Sequence, residues 1–301
     1  MALRLPEAHR SVCYRLSLTL DARIEHCEAL GNSSFSENLK VVLDDGRTLF
    51  VKCQPQERFD ILQAEADGLR WLAEAQSGLN IPTALALDAG ERGALPTDPA
   101  FMAIPYLPPG PRSAEQEIAL GRGLAHLHRA PCPGIGLAKD NFLANVPQDN
   151  HATSDWPTFY IERRLRPLVE RLHAAGQLPA RTCDELRRRF PLITERIATG
   201  EPPSRLHGDL WGGNALFTTQ GPALIDPAVY GGQREIDLAM MDLFGGFSPR
   251  CLAAYEATYP LEPGASQRRP LYQLYPLLIH VLLFGGHYAT QVQTIVCQTL
   301  R

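Results

Sequence analysis

The sequence predicts an α+β chain in two lobes, a small antiparallel sheet first and a larger, mainly helical part after it. Three observations carry this. Strand-like runs broken by a turn signal fill residues 24–51, helical periodicity dominates beyond residue 111, and the two characters meet at a proline-rich connector, "LPPGP" (107–111). A chain of 301 residues can fold as two compact units with ~75% of its surface buried, so lobes at 1–106 and 107–301 are expected.

Each element has its own signal. "IEHCEAL", "SENLKVVL" and "TLFVKC" read as strands, the last two joined at Asp45-Gly46, a hairpin turn pair. "FDILQAEADGLRWLAEA" has helical periodicity and stops near Gly78 and Pro82; "TALALDAG" and "AFMAIPYL" follow as strands. Beyond the connector, Ser113 stands three residues before Gln116, a capping-box start for "SAEQEIALGRGLAHLHR". Further helices are expected over 156–175, 179–199, 236–244 and 271–296, with a strand hairpin in "NALFTTQGPALIDP".

Composition removes several classes. With 45% hydrophobic and 21% charged residues, the make-up is that of a globular domain, and a formal net charge of -4 lacks the basic footprint of a nucleic-acid binder. The arginines of "RTCDELRRRF" (181–190) point around a helix and form a solvated face. The seven cysteines are odd in number and contain no CxxC pair, which argues against a disulfide framework or zinc site and for a reducing, cytoplasmic setting. The start has no apolar signal core, and "LYPLLIHVLLFGG" is too short to span a bilayer, so neither export nor membrane insertion is expected.

Chemistry concentrates in "LHGDLWGGNALF" (206–217). His207, Asp209 and Asn214 have the spacing of the kinase catalytic loop H-R-D-x-x-x-x-N, with Gly208 in the arginine's place. In that loop the acid takes the acceptor hydroxyl's proton and the amide oxygen holds magnesium; the same two side chains also suit plain Asx turns around Gly212 and Gly213. Asp226 ends the apolar run "ALIDP" just across the hairpin, and two oxygen donors flanking one hairpin suit a hard cation such as Mg²⁺.

A phosphate-transfer site also needs a cation from the first lobe. Lys52 shares its pleat face with Phe50 and Thr48, so it either snorkels or needs a buried partner. Glu65 lies on one helix stripe with Leu62, Leu69 and Leu72, an expensive position for an unpaired acid. Each answers the other's burial, as in the Lys-Glu pair that positions α and β phosphates. The glycine-rich loop of kinases is replaced by "ALGNSSFSENLKV", with Gly31 and Ser33, Ser34 and Ser36 as phosphate-capping candidates or an ordinary serine-rich turn. His126 and His128, two apart on a helix, make a poor metal pair, and Cys53 faces away from Lys52.

"LHGDLWGGN", "IDPAVYGGQREIDLAMMDLFGGF", "FVKC", "AEADGL", "LAHLHR", "KDNFLANVPQ" and the late "LYQLYPLLIHVLLFGGHY" together resemble the fructosamine kinase (ketosamine kinase) family, a relative of aminoglycoside and choline kinases within the protein-kinase-like fold. The resemblance covers nearly the whole chain. It implies ATP-dependent phosphorylation of a ketosamine hydroxyl, in the service of deglycation. Asp209 is then the catalytic base, Asn214 and Asp226 hold Mg²⁺, Lys52 with Glu65 positions phosphates, and the backbone of Ile104 to Tyr106 meets adenine, although Pro105 removes one donor. Asp237 braces the loop around His207 or simply caps its helix, while Trp211 and Trp156 are candidate acceptor walls or core filler. Two other readings stay open: a kinase of another small alcohol or amino sugar, and a nucleotide-binding pseudokinase without turnover.

Overall fold

The computed structural model describes residues 7–32, 36–90 and 98–299; Ser33 and Ser34 lie outside them. Alternating apolar residues build a five-stranded antiparallel sheet from β1 (Ile24–Asn32), β2 (Glu37–Leu43), β3 (Thr48–Gln54), β4 (Ala86–Asp88) and β5 (Ala100–Pro105), in the spatial order β1-β2-β3-β5-β4. Gly46, at φ +86°, closes the turn between β2 and β3. Pleat parity then sorts the side chains. Leu39, Val41, Leu49, Val51 and Cys53 face one way, and Phe50, Met102 and Ile104 the other.

The second face packs on α2 (Phe59–Ala73) through Leu62, Ala66 and Leu69. The first is covered by a helix that periodicity alone does not announce, α1 (Glu7–Leu20), whose Val12 and Leu16 are fully buried. Its Arg15 crosses to Asp88 and Asp98 beside the sheet's edge. Cys53 sits in this dry layer, where burial pushes its thiol up to about 12.

The helical lobe starts at α3 (Ala114–Arg129), with Ser113 Oγ accepting from the Gln116 amide at 3.3 Å. Gln116's own side chain donates instead to Thr218 O, so only half of the capping box forms. A short hairpin follows, β6 (Asn141–Leu143) with β7 (Val146–Gln148), and then α4 (Trp156–Phe159), a π-turn over Tyr160–Leu165, α5 (Arg166–Ala174) and α6 (Ala180–Ile197).

Strand β8 (Ser204–Leu206) pairs with β11 (Tyr230–Gly232), and β9 (Ala215–Thr218) with β10 (Gly221–Leu224), bracketing the loop at 207–214. Helices α7 (Glu235–Phe244), α8 (Pro249–Thr258), α9 (Ala265–Phe284) and α10 (His287–Thr299) complete the lobe. The single helix expected over 271–296 is in fact two, because Gly285 and Gly286 adopt φ +63° and +60° and break it. Among the described residues no helix is long and apolar enough to cross a membrane.

The α1 layer should carry real stability. Leu16→Ala is expected to lower unfolding free energy by about 2–5 kcal/mol, measured as a shifted urea midpoint at unchanged m-value.

Candidate active site

Strand β3, helix α2 and the end of β10 converge on one ammonium. Lys52 Nζ donates to both oxygens of Glu65 at 2.7 and 2.8 Å and to Asp226 Oδ1 at 2.6 Å. Lys52 is 7% exposed, so it does not snorkel. Burial alone would lower its pKa, but Glu65 and Asp226 hold it above the usual lysine value. Burial pulls Asp226 upward too, yet Lys52 brings it below the ordinary carboxylate range.

The loop opposite is set by backbone hydrogen bonds. His207 N and Gly208 N donate to the two oxygens of Asp237 at 2.7 and 2.9 Å, and His128 Nε2 donates to the same carboxylate at 3.1 Å. Asp237 does not cap α7, whose N-cap is Arg234. His207 donates from Nε2 to Ile225 O and accepts at Nδ1 from the Asp209 amide, the bonding of a neutral ring, and burial keeps its pKa low. Gly208 has φ +81°, and a Cβ there would lie 2.0 Å from Ala228 O. Gly212 and Gly213 have no such backbone demand. They are needed for space, against the Gly246 backbone and the Trp211 ring.

Asn214 Nδ2 donates to Asp209 O and Oδ2 at 2.9 and 3.0 Å, leaving its Oδ1 without a partner among the described residues. Asp226, at φ +53°, faces the same space. Glu65 and Asp226 thus flank the ammonium, and Asp209 lines the same cleft. Burial, helped by Asp226 and against the Asn214 hydrogen bond, lifts Asp209 to about 7. Burial likewise pushes Glu65 up to about 8, against the pull of Lys52. The Asn214 amide oxygen and the Asp226 carboxylate form a hard, oxygen-only donor set, which fits a divalent cation.

These groups open into a cleft of about 450 Å³. Trp211 stands at its mouth, 43% exposed. Its far wall is aromatic. Phe244 ends α7, Phe284 ends α9, and His280 packs between them, 4.5 Å from Phe244 and 4.9 Å from Tyr288 between ring centroids. His280 donates from Nδ1 to Pro276 O at 2.8 Å, and burial lowers its pKa. Sequence reading missed this wall. The signal available was the repeated Phe-Gly-Gly, at 244–246 and 284–286, each with positive-φ glycines that end a helix at a phenylalanine.

Other expected residues lie elsewhere. Trp156 is 5% exposed, stacked on Phe159 and Tyr160, with its Nε1 donating to Tyr272 OH at 3.1 Å. It is core. Gly31 is exposed at a register shift of β1, φ +99°, and is not among the described residues that line the cleft. Ile104 and Tyr106 are less available than expected. Tyr106 N already donates to Thr48 O at 2.9 Å, and ladder alternation turns Ile104's amide and carbonyl toward Phe50. The Pro105 carbonyl is therefore the outward-facing backbone acceptor of this stretch.

A small sheet lobe over a helical lobe, with the polar cluster between them, is the architecture of protein-kinase-like phosphotransferases. An aminoglycoside 2'-phosphotransferase in complex with GDP shares this fold at a TM-score of 0.61 and 14% identity, covering 98% of this chain and 97% of that one. A family model described as "Fructosamine kinase" matches residues 11–301, and the chain belongs to that family. It is 36% identical over 258 residues to a "Probable ketoamine kinase" of Klebsiella aerogenes, covering 85% of this chain and 86% of the relative. A "Probable ketoamine kinase" of Synechocystis sp. is 32% identical over 309 residues, covering 100% of both. A crystal structure of a Thermobifida fusca protein assigned as a fructosamine-3-kinase superposes with a TM-score of 0.85 at 34% identity, covering 97% of this chain and 99% of that one.

Asp209 gives a pH signature to the nucleotide-free, metal-free protein. Its folded pKa lies above the ordinary 3.8, at about 7, so the folded state holds its proton longer than the unfolded chain and stability falls as pH rises through that window. Asp209→Asn should therefore melt higher than wild type at pH 8, by about 1–3 kcal/mol of unfolding free energy, and the gap should close near pH 4.

Proposed function

We propose that this protein is an ATP- and Mg²⁺-dependent kinase that phosphorylates a sugar hydroxyl of a ketosamine, a fructosamine or ribulosamine carried on lysine or a small amine. Family membership supports the reaction class. The observation that carries the site assignment is the convergence of Lys52, Glu65, Asp209, Asn214 and Asp226 on one cleft from separate elements of both lobes.

Asp209 acts as the general base. It takes the proton of the acceptor hydroxyl as that oxygen bonds to the γ-phosphorus and the bond to the ADP oxygen breaks. Asn214 and Asp226 would hold the magnesium, which would supply positive charge against the phosphates and favour the ionised form of Asp209. Lys52, fixed by Glu65, positions the α and β phosphates, and the Pro105 carbonyl accepts from the adenine amino group. Trp211 and the wall of Phe244, His280 and Tyr288 enclose the acceptor. Phosphorylating the sugar of a glycated amine makes the adduct easier to shed, so the role is deglycation repair. Seven free thiols suit a reducing, cytoplasmic setting.

Asp209→Ala should reduce acceptor-dependent ADP formation by about 10³-fold or more, while ATP affinity measured by titration stays near wild type. Wild-type turnover by the variant would remove Asp209 from the reaction. A panel of fructosyl-lysine, ribulosyl-lysine, choline, free sugars and aminoglycosides with Mg-ATP should respond to the ketosamines first. Turnover of another compound with silence on both ketosamines would overturn the substrate.

A further inference from the structure

Among the described residues, the side chain of Gln54 faces the cleft without a partner. Gln54 follows Lys52 by two residues in β3, projects from the same face of the strand and lines the cleft. It is 6% exposed, and its Oε1 is buried without a hydrogen bond. Neither end of its carboxamide finds a donor or acceptor among the described residues. A buried amide in that condition is costly and calls for a partner.

The neighbouring groups are committed elsewhere. All three donors of the Lys52 ammonium go to Glu65 and Asp226. Ser36 Oγ donates to Asn38 at 3.1 Å. Asn141 donates to Val229 O and accepts from Gln148 and Asn150. No group among the described residues satisfies Gln54, which leaves its carboxamide open to a molecule that enters the cleft.

Chemistry selects between the two expected guests. Adenine is placed at the Ile104–Tyr106 end of the sheet, whereas Gln54 lies opposite Ala100, beyond Lys52; the phosphate oxygens that ATP presents there at neutral pH only accept hydrogen bonds and leave the amide oxygen unpaired. Sugar hydroxyls both donate and accept, and adjacent ones match both ends of a primary amide. We propose that Gln54 recognises the phosphate acceptor, its carboxamide accepting from one hydroxyl of a sugar and donating to a neighbouring one, beside the hydroxyl that Asp209 deprotonates. This rests on the reading of the cleft as a hydroxyl-directed kinase site and adds the residue by which the sheet lobe reads the sugar. The acceptor is then held from both lobes, by Gln54 above and by Trp211 and the aromatic wall below.

Gln54→Leu, close in volume and without polar ends, tests it. The melting temperature should equal or exceed wild type, because an unpaired buried amide is removed. The KM for fructosyl-lysine should rise about tenfold or more, with kcat and the KM for ATP changed less than about threefold. An unchanged acceptor KM, a parallel rise in ATP KM, or a melting temperature lowered by about 5 °C or more would each overturn the assignment. If wild type turns over a different hydroxyl compound and no ketosamine, the proposed substrate fails alone, and the same comparison on that compound decides the role of Gln54. If no acceptor is turned over, fructosyl-lysine is titrated into both proteins loaded with a non-hydrolysable ATP analogue and magnesium. A weaker Kd for the variant then supports the role, and equal Kd values overturn it.

Discussion

A single buried ammonium ties the architecture together. Lys52 belongs to the sheet, Glu65 to the helix laid across it, and Asp226 to the end of a hairpin from the other lobe, and all three meet within 2.8 Å. Withdrawing charges from water is expensive, and such a cluster repays its desolvation only when the geometry is good and the partners complete. Its presence therefore fixes the relative placement of three elements that apolar packing alone would let slide. It also holds Asp226 at a positive φ, a conformation unfavourable for a residue with a Cβ and kept only where the surroundings over-determine it.

Asp237 does for the loop what Lys52 does for the lobes. Its two oxygens receive two consecutive backbone amides and a buried histidine, so the chain reverses at Gly208 with its donors satisfied. His207 completes the arrangement by bridging Ile225 O and the Asp209 amide. Asp209 and Asp226 thus hang from one hydrogen-bonded frame, and the space between their side chains is set before any ligand arrives. Preorganisation of this kind is what a reaction driven by positioning and charge requires.

Much of this was legible in the sequence because it rests on local periodicity. Period two puts Lys52 on the cleft face of its strand, the 3.6-residue period puts Glu65 inside an apolar stripe, and an acid closing an apolar run marks Asp226. The parts that resisted depend on long-range placement. Helix α1 is secured by Arg15 reaching residues more than seventy positions away, which no local window reveals. The aromatic wall is assembled from the ends of α7 and α9 and the start of α10. Trp156 and Trp211 look alike as letters, and only the packing separates the core ring from the exposed one. Tyr106 depends on register: one residue's difference in strand pairing decides whether its amide faces a neighbour or a ligand.

The close approach at Gly208 reaches beyond geometry. In protein kinases an arginine stands at this point of the loop, and ordering by a phosphorylated segment works through Arg-phosphate pairs. Here the Ala228 carbonyl fills the place where any side chain would begin, so the position is closed to a cation by the backbone itself. Order at the head of this loop therefore comes from the two amides that Asp237 receives, and not from any side chain at position 208.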